Sequence, residues 1–224
     1  PKPESVFSEG RSSSYLQSKR DSYDEFIAYA DGQIGGLIDQ LEESGILENT
    51  WVIITSDHGE LFERGIWMHW TPVLYEPLIR IPLIIARPGQ THREDITVPT
   101  SAVDILPTLL EAARIPRPEG CVGRPLPTTS GSAREDRPVY AIDSKSAPRK
   151  GPLSRGTLAM RKGPYKLIHY FGHEVDQPYE LFDVESDPEE RENVYDPSAP
   201  IAQELREELI EKLNQINSGE TESQ

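Results

Sequence analysis

Thr50-Trp51-Val52-Ile53-Ile54-Thr55-Ser56-Asp57-His58-Gly59-Glu60 is the stretch that decides the fold. Its first half is β-branched and aromatic, the composition of a strand. Its second half turns polar at once. The pattern predicts a buried strand over Thr50–Ser56 that ends on a carboxylate and an imidazole. In α/β sheets, ligands gather beyond the carboxyl ends of strands. Asp57 and His58 at such an end can hold a metal ion, or can simply be a polar strand end. Adjacent strand residues point to opposite faces, so both reach one ion only if the chain bends there. Gly59 permits the bend.

Working outward, His69 follows in Gly65-Ile66-Trp67-Met68-His69-Trp70. It reads either as a third site residue or as a histidine at the edge of a core. Trp67 and Trp70 read first as core and second as a pocket entrance. Ile81-Pro82-Leu83-Ile84-Ile85-Ala86 predicts a second buried strand, starting late because Pro82 lacks a backbone donor. Upstream, Tyr23, Ile27, Ala30, Ile34, Leu37, Ile38 and Leu41 recur at helical spacing, behind a capping pattern of Ser22 and Glu25. That helix is expected to stop near Gly45 and to cover one face of a sheet. Ser101 and Asp104 cap a further helix to about Ala113.

Beyond residue 115 the character changes. Residues 115–137 are rich in Pro, Gly, Arg and Thr and read as a linker. Val139–Ile142, Thr157–Arg161, Tyr165–Tyr170 and Tyr179–Asp183 then predict a small antiparallel sheet, with Gly163-Pro164 at a turn. An amphipathic helix over Ile201–Ile216 closes the chain. The divisions are therefore 1–20, a polar arm; 21–114, an α/β core part; 115–137, a linker; and 138–224, a small α+β subdomain.

The 224 residues carry a formal charge of −15, which opposes binding to nucleic acid or to an anionic membrane. No apolar run approaches the ~20 residues of a membrane-spanning helix. Cys121 is the only cysteine, so no intrachain disulfide forms. The chain begins at Pro1 without a signal peptide. Targeting is therefore unreadable, and cytoplasmic and exported locations both stay open. His92 reads as a solvated loop residue, and Glu60 and Glu63 as surface charges. His169 and His173 are four apart, but on a strand and its turn, where helical ligand spacing does not apply.

In order along the chain, several segments resemble the C-terminal part of a sulfatase of the alkaline-phosphatase-like superfamily. They are Tyr29-Ala30-Asp31 to Gly35, Gly45–Thr50, Thr55–Glu60, Leu74-Tyr75-Glu76-Pro77, Ile79–Ile85 and Val103–Leu110. Arg161–Leu167, Glu180–Asp183, Asp187–Glu190 and Asn193 are similar to the family's small C-terminal sheet. The resemblance implies an α/β fold, part of an alkaline-phosphatase-like sandwich with a central sheet flanked by helices. A small antiparallel sheet and a terminal helix follow it. It implies hydrolysis of sulfate monoesters, on a small molecule or a glycan, with a divalent metal: calcium first, then manganese, magnesium or zinc. Asp57 and His58 match metal ligands. His69 falls where many relatives place a Lys that contacts sulfate, and so matches a catalytic residue.

The family's nucleophile loop, Cys/Ser-x-Pro-Ser-Arg, whose first residue becomes formylglycine, has no counterpart in these residues. Ser146-Ala147-Pro148-Arg149-Lys150 lacks the second serine, and Cys121 stands in the wrong context. The expectation is that formylglycine and the opposing ligands belong to an N-terminal half outside this sequence. This chain alone is then inactive. The apolar faces left by two central strands imply a missing partner half or self-association. Three other readings stay open: a phosphodiesterase or phosphonate monoester hydrolase of the same superfamily, a non-catalytic remnant, and one subunit of a split enzyme.

Overall fold

The computed structural model describes residues 2–127, 137–145 and 151–219. Ser146–Lys150, with the imperfect nucleophile-like loop, lies outside them. Two compact units divide the chain. One is Pro1–Thr71 with Tyr75–Arg93, and the other is Pro72–Leu74 with Glu94–Gln224.

The first unit opens with helix α1, Ser13–Glu43. It begins well before the Ser22 start and takes up the second part of the expected polar arm. Ser12 is the true cap, its hydroxyl accepting from the Tyr15 amide at 3.3 Å. The Ser22 hydroxyl instead donates back to the Ser18 carbonyl inside the helix, at 3.2 Å. A serine run looked like a loop because it supplied both the cap and an exposed first turn. The stop is as expected: Ser44 caps the helix and Gly45 takes a left-handed φ of 74°.

The stripe expected to cover a sheet does not do so here. Among the described residues of α1 only Leu16 is buried, while Phe26, Ile27, Tyr29 and Leu37 are exposed. The helix meets the unit through its N-terminal half. Tyr15 packs edge-on to Trp67 at 5.7 Å, and Tyr23 lies against Phe62 at 5.3 Å.

Strand β1, Val52–Thr55, is followed by the short strands β2, Phe62–Glu63, and β3, Ile66–Trp67. Helix α2, Glu76–Ile79, and strand β4, Leu83–Ala86, complete the unit. β1 and β4 pair antiparallel, with Val52 opposite Ala86 and Thr55 opposite Leu83. The late start after Pro82 is as expected, and the Thr55 hydroxyl donates to the Pro82 carbonyl at 2.8 Å. The expected burial is not found: β1 is half-buried and Ile84 of β4 is exposed. A two-stranded ribbon has no inner strand to bury.

The β2–β3 hairpin was not foreseen. Phe62 faces Trp67, and Glu63 faces Ile66, across an Arg64-Gly65 turn. Both turn residues have positive φ, 55° and 75°, the conformation that matches strand twist in tight hairpins. Arg64 tolerates it because its side chain is held. The guanidinium lies over the Tyr75 ring at 4.2 Å and donates to the Pro3 carbonyl at 3.3 Å. The first residues are likewise tied down: Lys2 pairs with Glu63 at 2.9 Å, and the Ser5 amide donates to the Arg64 carbonyl.

In the second unit, helix α3 spans Ile105–Ala112 behind a 3-10 turn at Ala102–Asp104. The Ser101–Asp104 capping box forms as expected. Asp104 is fully buried and also accepts from the Arg124 amide at 2.8 Å and from the Arg137 guanidinium. Thr108 passes the network on, accepting from the Leu126 amide at 2.7 Å. The described part of the linker is thus pinned to α3 by buried, charge-assisted bonds.

Strands β5 (Val139–Asp143), β6 (Gly156–Lys162), β7 (Tyr165–Phe171) and β8 (Tyr179–Asp183) form one antiparallel meander. Gly163-Pro164 joins β6 to β7, with Lys162 opposite Tyr165. Helix α4, Pro200–Ser218, lays Ala202, Leu205, Leu209 and Leu213 on Leu158, Met160, Leu167, Phe171 and Leu181. The i, i+3, i+4 spacing makes that stripe continuous. Leu209 is fully buried, so truncation to Ala there costs about 2–5 kcal/mol. The small sheet and the terminal helix are as the sequence predicts.

Candidate metal centre

The site begins where β1 ends. Ser56 closes the turn by donating its hydroxyl to the His58 carbonyl at 2.6 Å. The Asp57 carboxylate accepts from the His58 amide at 2.9 Å. That backbone donor is the main reason the Asp57 carboxyl sits below the usual carboxylate range, with the neighbouring His58 ring next. Asp57 is therefore held ionised, as a metal ligand must be. His58 Nδ1 lies 2.9 Å from the Gly59 carbonyl, and Nε2 lies 3.7 Å from Asp57 Oδ2. With Nδ1 donating to a carbonyl, Nε2 is the nitrogen left for ligation. A hard oxygen and an imidazole nitrogen at this spacing, both accessible, fit a divalent cation.

Gly59 serves the bend in a different way from the one expected. It does not adopt a left-handed φ. Its amide donates to the Leu78 carbonyl at 2.8 Å, and a Cβ at this position would collide with the Pro77 carbonyl. The loop is pressed onto α2, and only Gly allows that approach.

His69 arrives from the other side of the hairpin. Met68 takes a left-handed φ of 74°, unusual for a non-glycine residue, and its amide donates to the Leu61 carbonyl at 3.0 Å. Beyond that turn the His69 ring centre lies 4.1 Å from that of His58. His69 Nδ1 hydrogen-bonds Glu60 Oε1. His58, Glu60 and His69 offer ligand atoms all within 4.8 Å of one another. Asp57 is outside that trio but adjacent to His58.

The structure thus brings Asp57, His58 and His69 to one place and adds two residues that the sequence reading passed over. Glu60 is no surface charge, since its side chain is only 14% exposed and bonded to His69. Tyr23 of α1 also borders the loop. Its phenol is pushed above the ordinary range by burial first, then by the charges of Glu60 and Asp57. The signal for Glu60 was present in the hairpin register. Continuing the Phe62–Trp67 pairing outward sets Leu61 against Met68 and Glu60 against His69. Trp70 is exposed rather than core, its ring 5.2 Å from that of His69. His92, His169 and His173 take no part in the trio.

The α/β arrangement with a strand-end carboxylate and imidazole, joined to a small antiparallel sheet and a terminal helix, defines a hydrolase-type fold of the alkaline-phosphatase-like class. Residues 2–115 match the family model "Sulfatase", and residues 67–219 match "N-sulphoglucosamine sulphohydrolase, C-terminal". The chain belongs to the sulfatase family.

Choline-sulfatase of Rhizobium meliloti (strain 1021) is 33% identical over 200 residues, covering 84% of this chain and 35% of that protein. Arylsulfatase K of Gallus gallus is 30% identical over 185 residues, covering 77% and 32% respectively. The chain therefore spans about a third of the length of these relatives. Among solved structures, BT4656 in complex with D-glucosamine-2-N,6-O-disulfate superposes with a TM-score of 0.62 at 27% identity, covering 88% of this chain and 40% of that one. The phosphonate monoester hydrolase SpPMH from Silicibacter pomeroyi gives 0.66 at 27%, covering 83% and 38%.

Proposed function

We propose that this chain supplies one side of the active site of a metal-dependent sulfate monoester hydrolase. The observation that carries the reading is the Asp57–His58 pair, 3.7 Å between ligand atoms, beside His69 at the end of β1 in a sulfatase chain. Asp57 and His58 would hold the metal, with calcium, and after it manganese or magnesium, suited to the hard carboxylate and zinc to the imidazole. The chemistry such an ion would supply is positive charge for the non-bridging oxygens of the ester. His69 would contact the sulfate group, or hold a proton for the leaving oxygen, through its ring nitrogen. The substrate is then a sulfate ester, small-molecule or glycan.

Two protein ligands leave most of a hard cation's coordination sphere to other groups. The 224-residue chain by itself is accordingly inactive. The remaining ligands and a formylglycine nucleophile come from a region like the N-terminal half of its relatives, in the same or a separate polypeptide. The exposed face of α1 supports that requirement for a partner surface. The test is an aryl sulfate assay with added calcium or manganese. Turnover by the purified chain would sink the claim of inactivity. Restored turnover on adding an N-terminal sulfatase half, lost in Asp57→Asn, is the positive result.

A second reading is phosphonate monoester or phosphodiester hydrolysis. The likeness to SpPMH favours it. Assaying the completed enzyme on phenyl phosphonate and phenyl sulfate esters in parallel decides between them.

A further inference from the structure

We infer that Glu60 is the positioning residue for His69, fixing which ring nitrogen meets the substrate; the inference rests on the hydrolase reading above for its functional meaning only. Three observations converge. Glu60 Oε1 and His69 Nδ1 share a hydrogen bond. The β2–β3 hairpin pairs Phe62 with Trp67, the Met68 amide donates to the Leu61 carbonyl at 3.0 Å, and the same count carried one step further sets Glu60 against His69. Both side chains are sheltered, 24% exposed for His69 and 14% for Glu60, so the bond is shielded from competing water.

An ionised carboxylate has only acceptors, so the shared hydrogen sits on Nδ1. That sets the neutral ring in its Nδ1–H form and leaves the lone pair on Nε2. His58 is oriented by the same logic, through its own Nδ1 and the Gly59 carbonyl at 2.9 Å. The two rings, with centres 4.1 Å apart and planes tilted by 41°, are thereby each held through Nδ1. A second bond of this kind fixes the orientation of an imidazole as well as its tautomer.

The experiment is long-range proton–nitrogen NMR on the 15N-histidine-labelled 224-residue chain in alkaline buffer. His69→Gln assigns the signals. The expected spectrum of the wild type shows His69 as the Nδ1–H tautomer. A His69 signal in the Nε2–H form overturns the inference, whatever the variants do. Glu60→Gln, which keeps an acceptor oxygen, retains the tautomer. Glu60→Leu shifts the tautomer ratio on the order of tenfold toward Nε2–H. An unchanged ratio in a folded Glu60→Leu overturns the inference. If Glu60→Leu does not fold, the wild-type and Glu60→Gln spectra carry the decision. None of these signals depends on turnover. A failed sulfate ester assay with an intact Nδ1–H signal counts against the hydrolase reading alone. The converse counts against Glu60 alone.

Discussion

At the residue scale, the loop that carries Asp57 and His58 depends on a glycine beside them. Gly59 lets the Asp57–His58 turn lie on α2, with its amide on the Leu78 carbonyl. Gly59→Ala puts a methyl group into the Pro77 carbonyl, a backbone atom that cannot swing away. Overpacking of this kind costs about 1–3 kcal/mol. It also levers His58 away from His69. Denaturant unfolding measures the first effect, and loss of the His58–His69 ring contact in NMR measures the second. A variant as stable as wild type with that contact intact would show that the loop is not clamped.

His169 is a residue-scale case with a pH signature. It is 9% exposed, stacked on Tyr179 at 4.3 Å, and burial holds its pKa down at about 4. Among the described residues its buried Nδ1 has no hydrogen-bond partner. The folded state therefore refuses a proton that the unfolded chain accepts from about pH 6.5 downward. Between the two pKa values the unfolded state binds more protons, so stability falls as pH falls. From pH 7.5 to pH 5 the expected loss is on the order of 2 kcal/mol. His169→Phe keeps the stacking and removes the titration. Its urea midpoint should be flatter across that range, and an unchanged slope would assign the pH dependence to other groups.

At the element scale, the chain was most legible where one element meets one clear pattern. β5 to β8 and α4 follow directly from alternation and from the Leu205, Leu209, Leu213 stripe, because both faces of that pattern are buried together. The Ser101–Asp104 box was readable because cap and partner lie three residues apart. The β2–β3 hairpin was not, since its two-residue strands are too short to show a period and Arg64 is an uncommon residue at positive φ. Missing the hairpin hid the Glu60–His69 pair. Asp57 and His58 were visible because they directly follow β1, whereas His69 needed the hairpin to come near them. The start of α1 was misread because Ser12 and Ser22 offer equal capping chemistry, and only backbone geometry separates them.

One buried ion pair also belongs to this scale. Lys166 of β7 and Glu190, in the segment after β8, lie 2.7 Å apart and are essentially unexposed. Breaking such a pair strands a buried charge, at a cost of about 3–5 kcal/mol. Lys166→Met alone should lower stability by that order, and Glu190→Gln alone somewhat less. The double variant should recover a large part of the loss, because no charge is then left buried. Thermal unfolding of the four proteins completes the cycle. Additive losses would mean that the pair is uncoupled despite its geometry. The bond ties the segment around Asn193, whose side chain accepts from the Leu181 amide at 3.0 Å, to the sheet on which α4 rests.

At the scale of the whole molecule, the two units differ in how completely they bury their apolar residues. The second holds a closed core under α4. The first leaves Phe26, Ile27, Tyr29 and Leu37 of α1 and Ile84 of β4 exposed, with Phe26 at 74%. Large apolar residues exposed together on one helix are the kind of surface that soluble monomers cover. We predict that the 224-residue chain associates with itself through α1 in the absence of a partner half. The formal charge of −15 opposes this, because like-charged copies repel each other. Salt screens that repulsion while leaving the apolar attraction in place, so association should strengthen from low to physiological ionic strength. Size-exclusion chromatography with light scattering is the measurement. The expected result is a mass above 25.2 kDa that rises with protein concentration and with salt. Phe26→Ser with Tyr29→Ser should return the mass toward the monomer without altering the fold, since neither side chain is buried. A wild-type monomer at every concentration and salt would mean that the α1 face is satisfied by water alone.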